Sequence, residues 1–154
     1  MVTEKPIFLP SAELTNVADM WQLEKECFGP NAWSSSQIEA ELLRPNGIQR
    51  LLVCPIDQHL VGMTLGWQIQ DEAELIRIAV APRHRRSGLG KRLMHDFLGH
   101  VTATGGRSCF LEVRADNTAA IGLYSFHKFS RYAIRENYYR DGCDAWMMRN
   151  LIQK

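Results

Sequence analysis

The stretch from Leu75 to Met94 limits what this chain can become more than any other. It opens as an apolar run, Leu75-Ile76-Arg77-Ile78-Ala79-Val80, and stops at Ala81-Pro82. A basic turn with two glycines follows, Arg83-His84-Arg85-Arg86-Ser87-Gly88-Leu89-Gly90. Leu89, Leu93, Phe97 and Val101 then recur four apart, with Met94 and Leu98 beside them, which predicts an amphipathic helix. Strand, glycine turn and helix N-terminus together make an anion site from main chain. The first-turn N–H groups have no partner inside the helix, and the aligned peptide dipoles place roughly half a positive charge there. Gly88 and Gly90 lack a Cβ, so an anion can approach the backbone. Arg85, Arg86 and Lys91 add full charges. Taken alone, such a turn is equally a solvated loop.

The rest of the chain gives that turn a setting. Ile7-Phe8-Leu9 reads as a short strand ended by Pro10. Ala12 to Phe28 reads as a helix, with Leu14, Val17, Met20, Trp21, Glu24 and Phe28 near helical spacing, and Gly29-Pro30 breaks it. Ser34-Ser35-Ser36-Gln37 fits a capping box for a second helix over Ser35 to Leu43. Strands over Ile48 to Cys54 and Leu60 to Gln68, joined by short turns to Leu75–Val80, predict an antiparallel meander. Beyond Gly105-Gly106, Cys109 to Val113 is a strand, and a helical crossover between strands implies a parallel pair. Asp116-Asn117 caps a helix from Thr118 to His127, and Phe129 to Ile134 and Ala145 to Leu151 close the sheet. The expected fold is α/β: one domain over residues 1–154, a mixed, mostly antiparallel sheet of about seven strands, and about four helices.

Composition excludes several classes. A net charge of +1 makes the molecule no general polyanion binder. The Arg83–Arg86 run is short and lacks interleaved aromatics, which argues against nucleic acid. No apolar run is long enough to span a membrane. Cys27, Cys54, Cys109 and Cys143 are widely spaced, and neither they nor the five histidines show metal-ligand spacing. We expect no metal, no disulfide, buried thiols at Cys54 and Cys109, and a cytoplasmic location.

Glu112 interrupts the apolar strand Phe110-Leu111-Glu112-Val113. It is either the water-facing half of strand alternation or a general base at the sheet face. Tyr124 follows two turns into the next helix, as a core aromatic or as a proton donor. A phenol titrates near ~10, so it keeps its proton at neutral pH.

In order, Ile78-Ala79-Val80-Ala81-Pro82, Arg85-x-x-Gly88-x-Gly90, Leu111-Glu112-Val113-Arg114, Asn117-x-x-Ala120-x-x-Leu123-Tyr124 and Phe129 resemble the GNAT superfamily of N-acetyltransferases over nearly the whole chain. Trp33-Ser34, Asp71-Glu72-Ala73 and Asn137-Tyr138-Tyr139 add a resemblance to its RimI type, the N-terminal alanine acetyltransferases of ribosomal proteins. The resemblance implies acetyl-CoA as co-substrate. It assigns Ile78, Ala79 and Val80 to the pantetheine arm, Arg85, Arg86, Ser87, Gly88, Leu89, Gly90 and Lys91 to the pyrophosphate, and Asn117 to the pantetheine end. Glu112 becomes the base and Tyr124 the acid, with a main-chain N–H near Val80 as oxyanion donor. The implied acceptor is a protein N-terminus, of a ribosomal protein for the RimI type. Its α-amine, with a pKa of about 7.7–8.0, asks less of a base than a lysine near ~10.4.

Glu72 and Glu74, with Asp141 and Asp144, offer carboxylates for a basic acceptor peptide, and Tyr138 offers a wall. Three other readings stay open: acetylation of a lysine, polyamine or other small amine; a CoA-binding regulatory module without catalysis; and solvated loop charge at those carboxylates. Four residues depart from the family pattern: Lys128 for Gly, Gly122 for Ala, Ala32 for Pro and Arg77 for Asn. A left-handed backbone at Lys128 would cost about 1 kcal/mol, so the helix is expected to end differently there.

Overall fold

The computed structural model describes residues 4–152. Its strands are β1 (Ile7–Phe8), β2 (Gly47–Val53), β3 (Leu60–Ile69), β4 (Glu72–Val80), β5 (Ser108–Arg114), β6 (Ser130–Arg135) and β7 (Ala145–Leu151). They form one sheet in the order β1-β2-β3-β4-β5-β7-β6, antiparallel throughout except for β4 against β5. The helices are α1 (Val17–Phe28), α2 (Ser35–Leu43), α3 (Leu89–Ala103) and α4 (Thr118–Phe126). This is the mixed, mostly antiparallel α/β architecture that the spacing of apolar residues implies.

Two cores sandwich the sheet. Met20, Leu23 and Ile38 of α1 and α2 pack on Leu51, Met63, Leu65 and Ala79. Met94, Phe97 and Val101 of α3 pack on the other face, against Ala73, Leu75, Leu111 and Met148. Leu89 and Leu93 extend that face to Leu52 and Val61. Each such buried side chain contributes about 1.5–3 kcal/mol, so α3 is anchored by its apolar stripe and not by helix propensity.

Local chemistry sets the helix ends. The first helix starts later than expected: Leu14–Asn16 is a 3₁₀ turn and α1 begins at Val17. The Glu13 N–H donates to Asn16 Oδ1 at 2.7 Å, which holds a tight turn ahead of the helix. At α2 the capping box forms as expected, with Gln37 N–H donating to Ser34 Oγ at 3.2 Å and Ser34 N–H to Gln37 Oε1 at 2.8 Å. Lys128 departs from expectation, because it does adopt the left-handed conformation, at φ +66°. Phe129 N–H donates to the Tyr124 carbonyl and Lys128 N–H to that of Ser125, both at 3.0 Å. This is a Schellman ending, and Phe129 packs back on Tyr124 with ring centroids 6.0 Å apart. The closing bonds and the buried Phe129 outweigh the strain at lysine.

A bulge in β4 creates the site. Leu65 pairs with Arg77 and the next residue, Gly66, pairs with Leu75, so Ile76 is one residue too many. Before it, Ala73 and Leu75 face α3. After it, alternation is inverted: Ala79 joins the α1–α2 core and Arg77 reaches Glu24 of α1. The partner must be glycine, since a Cβ on Gly66 would lie 2.3 Å from the Glu74 carbonyl oxygen and 2.6 Å from the Phe97 ring. β4 and β5 pair only at Glu72↔Ser108, Ala73↔Cys109 and Glu74↔Phe110. From there β4 stays with β3, β5 stays with β7, and the sheet opens into a fork.

Candidate active site

The fork is a cleft of about 630 Å³. Arg77 and Ile78 come from β4, Glu112 and Val113 from β5, Asn117 and Tyr124 from α4 and its cap. Phe28 and Asn31 close one side, and Tyr139, Arg140 and Asp141 from the loop between β6 and β7 close the other.

Strand parity explains how Glu112 gets there. Cys109, Leu111 and Val113 fill the core, which turns Phe110, Glu112 and Arg114 to the opposite face. Glu112 therefore faces the cleft with its side chain 28% exposed, and Arg135 Nη2 lies 3.7 Å from its Oε1. Tyr124 comes from the buried side of α4. Burial pushes its phenol up to about 12, opposed by the nearby positive charge of Arg77. The structure thus brings both candidates for proton transfer into one cleft.

Main chain supplies the rest. Ala81 N–H donates to Val61 O at 2.8 Å. Antiparallel alternation then points the main-chain groups of Ala79 at β3, and those of Ile78 and Val80 at the fork. The Val80 carbonyl accepts from Arg85 Nε at 3.1 Å and Cys27 Sγ at 3.4 Å, which leaves its N–H toward the opening. In the basic turn, Arg86 has φ +61° and Gly88 φ +81°. Such left-handed residues turn successive N–H groups to one side. No side chain caps α3, whose first internal bond runs from Arg92 N–H to Gly88 O at 3.1 Å. The N–H groups of Leu89, Gly90 and Lys91 have no protein partner among the described residues. An unsatisfied helix start in a segment that carries Arg85, Arg86 and Lys91 fits a diphosphate, with Lys91 Nζ 4.0 Å from the Phe126 ring centroid. The Ser87 hydroxyl is already used, closing the turn onto the His84 carbonyl. Asn117 is used in part: its Oδ1 accepts the Ala120 N–H at 3.1 Å and caps α4, and the residue lines the cleft.

The substrate-side residues read from sequence fall in different surroundings. Glu74 sits at the point of the fork and does not line the cleft; burial, then the charge of Glu112, raises its carboxyl pKa. Glu72 lies two residues further back, exposed. Asp141 is not a free carboxylate, because Arg114 Nη2 pairs with it at 2.6 Å and holds its pKa below the ordinary range. Asp144 accepts the Asn137 N–H at 2.9 Å. Tyr139 lines the cleft, whereas Tyr138 stands edge-on behind it, centroids 5.1 Å apart, about half exposed. Cys109 is buried, its thiol pushed up to about 12 by desolvation, but Cys54 is only half-buried.

Sequence reasoning missed one pair. Glu24 is fully buried in α1, and its Oε1 accepts from Arg77 Nε at 2.8 Å and from Trp33 N–H at 3.1 Å. The signal was available: a glutamate on the apolar stripe of a helix, and an arginine within an apolar strand.

A fork between parallel strands, an uncapped helix start beside it, and a carboxylate and phenol within it suit acyl transfer from a diphosphate-bearing donor. The family model described as the acetyltransferase (GNAT) family matches residues 17–129. The chain belongs to that family and is an acetyl-CoA-dependent N-acetyltransferase. It is 33% identical over 126 residues to the ribosomal protein bS18-alanine N-acetyltransferase of Salmonella typhimurium, covering 81% of this chain and 82% of that protein. It is 35% identical over 134 residues to the N-alpha-acetyltransferase RimI of Mycobacterium tuberculosis, covering 83% and 82%. The crystal structure of the ribosomal-protein-S18-alanine N-acetyltransferase from Escherichia coli superposes with a TM-score of 0.88 at 29% identity, over 97% of this chain and 96% of that one. A Mycobacterium leprae protein is 34% identical over 155 residues, but the chain spans only 42% of its length. Among the described residues no group of side chains is arranged to hold a metal, and no helix is long and apolar enough to cross a membrane.

Proposed function

We propose that this chain acetylates the N-terminal α-amino group of a protein in the cytoplasm, and that the acceptor is the terminal alanine of a small-subunit ribosomal protein. The observation that carries the reading is a cleft holding Glu112 and Tyr124, in a chain whose relatives over four fifths of its length bear that activity in their names.

Bound acetyl-CoA supplies an activated acetyl thioester. Around it, the N–H groups of Leu89, Gly90 and Lys91, with Arg85, Arg86 and Lys91 side chains, hold the diphosphate. The open main-chain groups of Ile78 and Val80 orient the pantetheine arm along β4, and Val80 N–H is placed as oxyanion donor. Glu112, directly or through a water, takes a proton from the acceptor ammonium. Tyr124 holds its phenolic proton and delivers it to the leaving group. Positioning amine and acyl donor in one fork supplies much of the acceleration.

A mass-shift assay tests this. Peptides starting with Ala, including a ribosomal-protein-like one, should gain one acetyl group, and spermidine should not. Acetylation of spermidine alone would overturn the acceptor class, and undiminished turnover by Glu112→Gln would remove Glu112 as the base.

A further inference from the structure

Arg77 has a position that proton transfer and donor binding do not explain. It projects from β4 just past the bulge and lines the cleft with Glu112, its side chain 19% exposed. Its guanidinium lies against two rings, 3.8 Å from the Phe28 centroid and 4.7 Å from that of Trp33. One edge of it is fully committed. Nε donates to Glu24 Oε1 at 2.8 Å, and Nη2 pairs with the same oxygen and donates to the Asn31 carbonyl at 3.2 Å. Glu24 is wholly buried and its Oε2 has no partner, so Arg77 is its counter-charge and cannot swing away. Nη1 is different: no acceptor lies within hydrogen-bond distance of it among the described residues. A rigid, charged donor is thus held in the cleft wall with its remaining N–H groups unspent.

We propose that Arg77 is an acceptor-binding residue, whose Nη1 donates to the first carbonyl oxygen of a peptide as its α-amine lies at Glu112. The inference rests on the N-terminal reading above and names what that reading leaves open, the group that recognises a peptide. The chemistry selects by what the acceptor carries. A peptide has a carbonyl oxygen one carbon beyond the amine-bearing carbon; a polyamine has only methylenes and further ammonium groups, none of which can accept from a guanidinium. The two rings and the Glu24 pair fix the fork in advance, so little side-chain entropy is lost on binding.

The test compares an Ala-terminal peptide with its trans-alkene isostere, which keeps the amine and the shape and lacks the first carbonyl oxygen. Removing Arg77 alone strands the buried Glu24 charge, so the variants are the double Glu24→Gln/Arg77→Met and the single Arg77→Lys, with CoA binding by calorimetry as the check on folding. In the double variant KM for the amide peptide should rise about tenfold, with a smaller effect on kcat, equivalent to about 1.4 kcal/mol. For the isostere, already about tenfold weaker with the unaltered protein, KM should move less than twofold. Arg77→Lys should show the same split if the double variant does not fold, because lysine keeps Glu24 compensated but lacks the planar fork. An unchanged KM for the amide peptide, or equal shifts for both peptides, overturns the assignment of Arg77 and leaves the N-terminal reading standing. Acetylation of spermidine and of neither peptide by the unaltered protein sinks both.

Discussion

Removing the Tyr124 hydroxyl isolates proton delivery from everything else the residue does. The ring is buried and packs on Phe129 at 6.0 Å, and no protein group bonds to the hydroxyl among the described residues. Tyr124→Phe should therefore keep stability within about 0.5 kcal/mol of the unaltered protein. General-acid catalysis contributes about 10² to 10⁴ in rate. Here the lower end applies. Burial holds the phenol at about 12, whereas a thiol titrates near ~8.5, so the proton moves uphill to the departing sulfur. The expected loss in kcat is about a hundredfold, or ~2.7 kcal/mol of barrier. Single-turnover acetylation of an Ala-terminal peptide, with CoA release followed by a thiol reagent, measures it. The buried phenol also predicts no loss of rate from Tyr124 ionisation below about pH 10. A variant with half the original rate, or one that melts well below it, would show that Tyr124 serves the core and not the chemistry.

Other consequences are equally direct. Gly88 sits at φ +81° with open space where a Cβ would project, so Gly88→Ala should cost about 1–2 kcal/mol of backbone strain, seen in urea unfolding, and weaken CoA binding by calorimetry. Lys128→Gly relieves the left-handed lysine and should raise stability by about 1 kcal/mol with turnover unchanged. Burial holds the Cys109 thiol up to about 12, well above a free thiol. Its stabilisation is complete below about pH 9 and is lost as pH climbs toward 12, by at most about 4 kcal/mol. Cys109→Ala should accordingly flatten the alkaline fall in urea midpoint; an equally steep fall would place the titrating group elsewhere.

Much of this was legible in one dimension. Four-residue recurrence through Leu89, Leu93, Phe97 and Val101 determined α3, and Ser34 with Gln37 determined the start of α2, because both depend on neighbours within a few residues. The glycine turn announced an uncapped helix start for the same reason, since that is a local property. Tertiary structure decided the rest. No pattern in Leu75–Val80 announces that Ile76 is one residue too many; that depends on Gly66 in the facing strand and on Phe97 behind it. The bulge inverts which residues face α1, and so brings Arg77 onto Glu24, fifty-three positions away. Tyr139 and not Tyr138 meets the cleft because the loop beyond β6 packs against Arg114. Periodicity tells a residue which side of its own element it occupies; what stands on that side is set by elements that arrive from elsewhere in the chain.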